Sequence, residues 1–556
     1  LVGPGTTATN PEEPTPRAIY WRFLGDEGYP TGTLTPIEIE GLGPTHLRAG
    51  YSAVILPENV ALPPGTVEVL ASYVRDHGGK LVCAWTAGDG GGGDAAGLWG
   101  LLGLTPLDSE APGGVAPPTL WTFPPGSPVT ALIDPGILDG PYFRPVGLIP
   151  MPSPRRAVAP KGAVLVAPDV WLHRFPGGGL TVFINGHPAE EKRVGDDALF
   201  RVLLKYFLDE LAGTPRIVMS PGGVGGLVIN LHVCSSAYLG ALDRLFRREV
   251  FPPDLRLSVH VTPGPDDLRP GDGLGVYADS PAKGRPFVQE LARHGEVGAH
   301  GGWMHDGWAG SSAGWLAPVR RRYLDQSLDS LAAVVGRPVL EYSAPGGVHD
   351  RDTDDHLARR GVLAAAYPGG EDAPPAHAWV EGKGLSRLWH FGYSGDQYGL
   401  CPESMLAAGR SPEEVAEEVR ALVARAAQRR EIRLFYLHPA SLADRPIIWR
   451  ALISEVRTQL AAGRLTVAPM SAYARFLNQA ERIELAVWKA GPTVIVEMAG
   501  PASLRGVAVA LPVSPEYAVA RSSGTGRLTF DNGGSVGYLA VETDTNHFSA
   551  ILAPSP

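Results

Sequence analysis

Cysteine is almost missing from this chain: its 556 residues contain three, Cys83, Cys234 and Cys401. They are far apart and odd in number, which excludes a disulfide framework and a C-x-x-C metal knuckle. Lysine is scarce too, at seven of the 48 basic residues, the rest being arginine; this skew supports no functional reading. Acidic and basic residues are interspersed around a net charge of −10, so no nucleic-acid partner is expected. No stretch reaches the ~18 consecutive apolar residues of a bilayer-spanning helix, so no membrane span is expected.

What is present is a globular composition, 44% hydrophobic and 19% charged. The length exceeds the ~250–300 residues at which single cores stop growing, so several domains are expected. Glycine and proline make up about 22% of the chain, above an average of roughly 12%, which signals long ordered loops. The sequence opens at Leu1 and runs into a polar, proline-rich stretch to Pro16. That suits a mature chain after signal-peptide removal, and an extracytoplasmic or secreted location is the expectation.

The first segment alternates strand and helix signals. Ala18–Phe23 and Ser52–Leu56 are short apolar runs of the kind found in buried strands. Thr66 is placed to cap a helix carrying Val67, Leu70 and Val74, which Gly78-Gly79 ends before a strand at Lys80–Trp85. Leu180–Asn185 reads as a strand, and Asp196–Leu211 as an amphipathic helix. The stretches "YSAVILPENVALPPGTVEVLASYVRDHGGKLV" and "GGGLTVFINGHPAEEK" resemble glutamine-amidotransferase-like, flavodoxin-like domains found beside carbohydrate-active enzymes. Active members need a cysteine on a sharp strand-to-helix turn. Cys83 sits within a strand-like run and reads as a buried structural thiol, so this domain, 17–213, is expected to be non-catalytic. Gly90–Gly93 lacks the Lys-Ser/Thr of a phosphate-binding loop and reads as a loop.

A second domain, 215–480, repeats strand–helix alternation. Its strands are expected at Leu227–Leu231, Leu255–Val261, Glu296–His300 and Ile432–His438, with helices between them. That pattern predicts a parallel sheet closed or half-closed as a barrel. The last segment, 481–556, carries short strand signals separated by turns and reads as a small β-sandwich.

The strongest chemical signal is "EVGAHGGWMHDGW", with His300 and His305 at the end of a buried strand. Two histidines in a short loop after a strand can share one metal ion, since neutral imidazole is a common zinc ligand. In context, "RLSVHVTP" and "FVQELARHGEVGAHGGWMHD" resemble the second strand, helix and histidine box of polysaccharide deacetylases, the NodB-homology family. "EYSAPGGVHDRDTDDHLARRGVLAAAYPGG", "LFYLHPASL" and "ISEVRTQLAAGRLTVAPMSAYARFL" resemble segments that follow in that family, in the same order. The fold class expected overall is thus α/β: a flavodoxin-like domain, a distorted (β/α) barrel of the deacetylase type and a β-sandwich. The resemblance implies a divalent metal, most often zinc, and an acetylated glycan as partner. It places His300 and His305 as metal ligands, His438 as the acid that protonates the leaving group, and Trp389 at the sugar pocket.

The chain departs from the family at its first motif. Two aspartates are usual there, and "GLVINLHVCSS" puts Asn230 and His232 in their place. Asn230 takes the catalytic position, but an amide has no useful pKa. His232 would complete a three-histidine metal set, and strand alternation puts Cys234 on the same side as an additional donor. Five residues instead of four separate His300 from His305, and Ser343 stands where the family has arginine. Asp306, Asp350 and Asp396 are substitute carboxylates, or loop and cap residues.

Trp303, Trp308, Trp315, Tyr342, Trp389, Tyr393 and Tyr398 cluster around these motifs, as a glycan cleft lined by Trp303, Tyr342 and Trp389 would need, or as a cover over the barrel end. Gly310–Gly314 fits G-x-S-x-G but lacks the preceding strand of a nucleophile elbow. Three functions stay open: a metal-dependent carbohydrate deacetylase, a glycan-binding protein that has lost catalysis, and a hydrolase of a small C–N substrate. Oligomeric state is not legible.

Overall fold

A computed structural model describes residues 15–57, 62–84, 105–106, 157–158, 164–167, 170–184, 198–367, 373–380, 384–393, 401–531 and 533–555. Gly90–Gly93, Asp396 and Tyr398 lie outside the described residues. The chain forms two compact units, which divide at Arg216/Ile217, with residues 26–28 belonging to the second.

The first unit holds a five-stranded sheet. Val54–Leu56, Lys80–Ala84 and Leu180–Ile184 lie parallel. Val170–Arg174 and then Val164–Ala167 extend the sheet antiparallel. Ala18–Phe23, expected as a strand, lies in a helix, Pro16–Asp26. Its buried residues Ile19, Tyr20, Phe23 and Leu24 recur at helical, not alternating, spacing. Thr66 is not a cap. The helix Pro64–Arg75 begins earlier, with a proline at its first position, and the Thr66 hydroxyl donates to Glu40 Oε1 at 2.6 Å. Cys83 is buried in its strand, and burial pushes its thiol pKa up.

The second unit is built on a parallel barrel. Its strands are β1 (Gly225–Val233), β2 (Leu257–Val261), β3 (Gly295–His300), β4 (Glu341–Ser343), β5 (Ala364–Tyr367), β6 (Trp389–Gly392), β7 (Ile432–Leu437) and β8 (Leu465–Val467). They pair in the order β6-β5-β4-β3-β2-β1-β7, and β8 also pairs with the start of β1. A parallel bridge between Tyr393 and Leu434 brings β6 to β7, so the seven-strand sheet is nearly closed. Mixed α/β architecture with a parallel barrel matches the expectation for this half of the chain.

β1 sets the logic of the barrel. Leu227, Ile229, Leu231 and Val233 alternate with Val228, Asn230 and His232. The first set joins one apolar cluster with Leu242, Leu328, Val419 and Leu452 from the surrounding helices. The second set faces the opposite side of the sheet, where Asn230 and His232 meet other polar residues. In register, Asn230 lies beside Ser258, His232 beside His260, and His300 beside Ser343. Gly298 is required here: a Cβ on it would stand 2.3 Å from the His260 ring. Val228, Ala364, Ala366, Trp389, Phe391 and Leu434 form a second apolar cluster with helix Met470–Ala480. The first turn of that helix donates otherwise unpaired N–H groups inward, Met470 N to Ser258 Oγ at 2.9 Å and Ser471 N to Glu341 Oε1 at 2.7 Å.

The C-terminal strands belong to this unit. Glu484–Ala490, Thr493–Ala499, His547–Pro554 and Tyr517–Ser522 form one antiparallel sheet. Gly526–Phe530, Gly537–Val541 and Ala508–Leu511 run antiparallel in another. One apolar cluster draws Val494, Val496 and Phe548 from the first sheet and Val509, Leu539 and Val541 from the second. Among the described residues, no helix is long and apolar enough to cross a membrane.

Candidate metal centre

The polar side chains converge where strands end. β1 delivers His232 and, just past its last residue, Cys234; β3 ends at His300, and the loop after it carries His305. His300 Nε2 and His305 Nε2 are 3.0 Å apart.

Their outer hydrogen bonds decide what that contact means. His300 Nδ1 is 3.2 Å from the Ser343 carbonyl oxygen, which only accepts, so Nδ1 carries the proton. His305 Nδ1 is 2.6 Å from Asp306 Oδ1 and donates likewise. In their neutral forms both rings therefore direct bare Nε2 lone pairs at each other. Two such lone pairs at hydrogen-bond distance need a cation between them, a proton or a metal ion. Burial, first of all, lowers the pKa of His300. At His305 burial acts the same way, but hydrogen bonds and charge from Cys234 and Asp306 outweigh it and raise the pKa.

The third donor is Cys234. Its Sγ and one ring nitrogen of each histidine all lie within 4.8 Å of one another. Burial opposes ionisation of this thiol, but His300, His305 and His438 outweigh it and lower its pKa well below the usual thiol range. Two imidazoles with outer partners fixing their tautomers, plus a thiolate, fit a zinc-like cation. Asp267 and Asp306 stand behind His305, Asp267 Oδ1 at 4.0 Å from Nδ1.

His232, the third ligand expected from the sequence, is placed otherwise. Its ring centre is 4.3 Å from that of His300, but its Nε2 faces Ser343 Oγ at 3.2 Å. Two residues beyond His232, just past the end of β1, the side chain of Cys234 reaches the paired histidines instead. Asn230 is deeper still and fully buried. Its amide pairs with His260, lying 2.9 Å (Nδ2) and 3.1 Å (Oδ1) from His260 Nδ1. Asp350 caps the helix Arg351–Arg359, accepting from Thr353 N at 2.8 Å.

His438 arrives from the end of β7. Its ring stacks on Tyr238, 5.3 Å between centres, and its Nδ1 is 3.4 Å from Glu403 Oε1. Burial lowers its pKa, but Cys234, Cys401 and Glu403 outweigh burial and push it strongly up. Cys401, Glu403 and His438 themselves form a group of ligand atoms within 4.8 Å. Glu403 had no signal in the sequence, since it reaches His438 across 35 residues of chain.

Of the aromatic residues expected at a sugar pocket, Trp303 is half-buried near the site's loop. Tyr342 and Trp389 are fully buried. Trp389 Nε1 donates to Asn478 Oδ1 at 2.8 Å, and its ring packs 4.2 Å from that of His377, so it fills the core instead of lining a cleft.

No protein-family model matches the sequence, and no curated protein sequence matches it. Solved structures do. A candidate polysaccharide deacetylase from Mycobacterium smegmatis is 18% identical with a TM-score of 0.32, covering 46% of this chain and 91% of its own. The family 4 carbohydrate esterase of Streptomyces lividans, solved with acetate, is 10% identical with a TM-score of 0.26, covering 44% and 91%. A pseudoenzyme of that esterase family from Bacillus anthracis is 12% identical with a TM-score of 0.26, covering 45% and 66%. Likeness at this level transfers no activity or residue role; over a little under half its length, this chain is similar to polysaccharide deacetylases and to a pseudoenzyme among them.

Proposed function

We propose that the second unit is a metal-dependent hydrolase of the carbohydrate-deacetylase kind, acting on an acetylated glycan. The observation that carries the metal is the pair of bare Nε2 atoms, His300 and His305, 3.0 Å apart with Cys234 beside them. The sequence resemblance to polysaccharide deacetylases supplies the substrate class. A divalent cation held by His300, His305 and Cys234 would supply Lewis acidity toward an acyl carbonyl and a water molecule. Asp306 and the Ser343 carbonyl hold the two rings in the ligating tautomer. His438, kept protonated by Cys234, Cys401 and Glu403 against burial, gives its proton to the leaving group.

A second reading has its own observation. Asn230 is an amide locked onto His260, so the position that carries a carboxylate base in the resembled family carries none. The chain would then bind an acetylated glycan without cleaving it. Acetate release from acetylated glycan oligomers by zinc-loaded protein separates the two. Release that disappears in His438→Ala while the metal stays bound supports the hydrolase. Glycan binding without release supports the second reading, and neither binding nor release overturns both.

A further inference from the structure

A second cluster of ligating side chains lies in the same unit and shares no residue with the first. His349 precedes the helix Arg351–Arg359, Asp354 is on that helix, and His390 is on β6. His349 Nε2 and His390 Nε2 stand 3.0 and 3.1 Å from a single oxygen, Asp354 Oδ1. Ser386 Oγ is 2.9 Å from that oxygen and 2.9 Å from His390 Nε2. The side chains of His349 and Asp354 are 0% exposed and that of His390 is 4%.

This arrangement is a poor hydrogen-bond network. One carboxylate oxygen faces three donors, while Asp354 Oδ2, equally buried, has no hydrogen-bond partner among the described residues. The single Nε2 proton of His390 cannot serve both Asp354 and Ser386. A buried carboxylate also needs a compensating positive charge. Four polar atoms drawn together from a loop, a helix and a strand are instead what the ligands of a small cation look like.

We propose that His349, Asp354 and His390 form a second metal site, structural in role, for a zinc-like divalent cation. Two imidazole nitrogens and a carboxylate suit zinc better than calcium or magnesium, which favour all-oxygen sets. The cluster is enclosed, and its bound ion would pin the helix Arg351–Arg359 to β6.

The test is metal content of the full chain after zinc incubation and desalting, beside the His300→Ala/His305→Ala double variant. The first centre is read from the difference between native and double variant, the second from the metal the double variant retains. The expected result is about one zinc per chain in the folded double variant, lost when His349→Gln is added, and a melting temperature of the double variant that rises with zinc. A folded double variant without zinc overturns this proposal and leaves the first centre standing if the native protein holds one equivalent. Zinc that survives His349→Gln also overturns it, since the ion then sits elsewhere. Equal zinc in native and double variant, removed by His349→Gln, supports this site and overturns the first.

Discussion

Glu403 Oε1 accepts the backbone N–H of His438 at 3.2 Å and stands 3.4 Å from the ring Nδ1 of the same residue. One carboxylate thus holds both the position of the residue and the charge of its ring. The hydroxyl of Ser441 donates to the same oxygen and fixes it in turn. An imidazole kept protonated above neutral pH suits an acid, not a base.

Replacing Glu403 by Gln removes one of the three groups that raise the His438 pKa against burial. The protonated ring is the active form, so rate falls as pH rises through its pKa. Lowering that pKa moves the alkaline fall in kcat/KM to lower pH. His438→Ala should cost about 10²-fold or more in kcat with metal content unchanged. An unshifted alkaline limb in Glu403→Gln would separate this pair from the proton transfer.

Trp389 separates a core role from a ligand role. Trp389→Phe strands the Asn478 amide oxygen that its Nε1 now satisfies. The expected loss is about 1–3 kcal/mol in denaturant unfolding, with glycan affinity unchanged. Unchanged stability with lost affinity would put the ring in the cleft.

Glu341 gives the barrel a pH dependence. Its carboxyl is fully buried, and burial raises its pKa to about 7 despite the hydrogen bond from Ser471 N. His260, 3.6 Å away, is driven toward its neutral form by the same burial, so it offers no compensating charge. The folded pKa lies above the unfolded value, and the unfolded chain loses this proton first as pH rises. Stability therefore falls between about pH 4.5 and 7, by on the order of 3 kcal/mol in full. Glu341→Gln should gain on the native protein across that window in pH-dependent denaturation. Parallel curves for the two proteins would contradict this.

The barrel was legible where strands carry apolar side chains on their helix-facing side, as in Gly225–Val233 and Ile432–Leu437. It was not legible at Ala364–Tyr367, because three alanines carry no strand signal. Leu465–Val467 is too short to show a period. At the site, the His300–His305 pair was readable from the chain, and the parity of β1 pointed to Cys234 as well as His232. Which of the two reaches the pair depends on where the strand ends relative to β3, and local sequence does not contain that. Glu403 reaches His438, and His390 reaches His349 and Asp354, from more than 30 residues away, which no spacing within one segment can reveal.

The central claim is a cation held by two imidazoles and one thiolate, and cobalt substitution tests it most directly. Co(II) added to metal-free protein should give the intense near-ultraviolet band of a thiolate-to-metal charge transfer, together with tetrahedral visible bands. The charge-transfer band should vanish in Cys234→Ser and persist in Cys401→Ser. A spectrum without that band, or one carried by Cys401 instead, would contradict the assignment of Cys234, His300 and His305 as the metal centre.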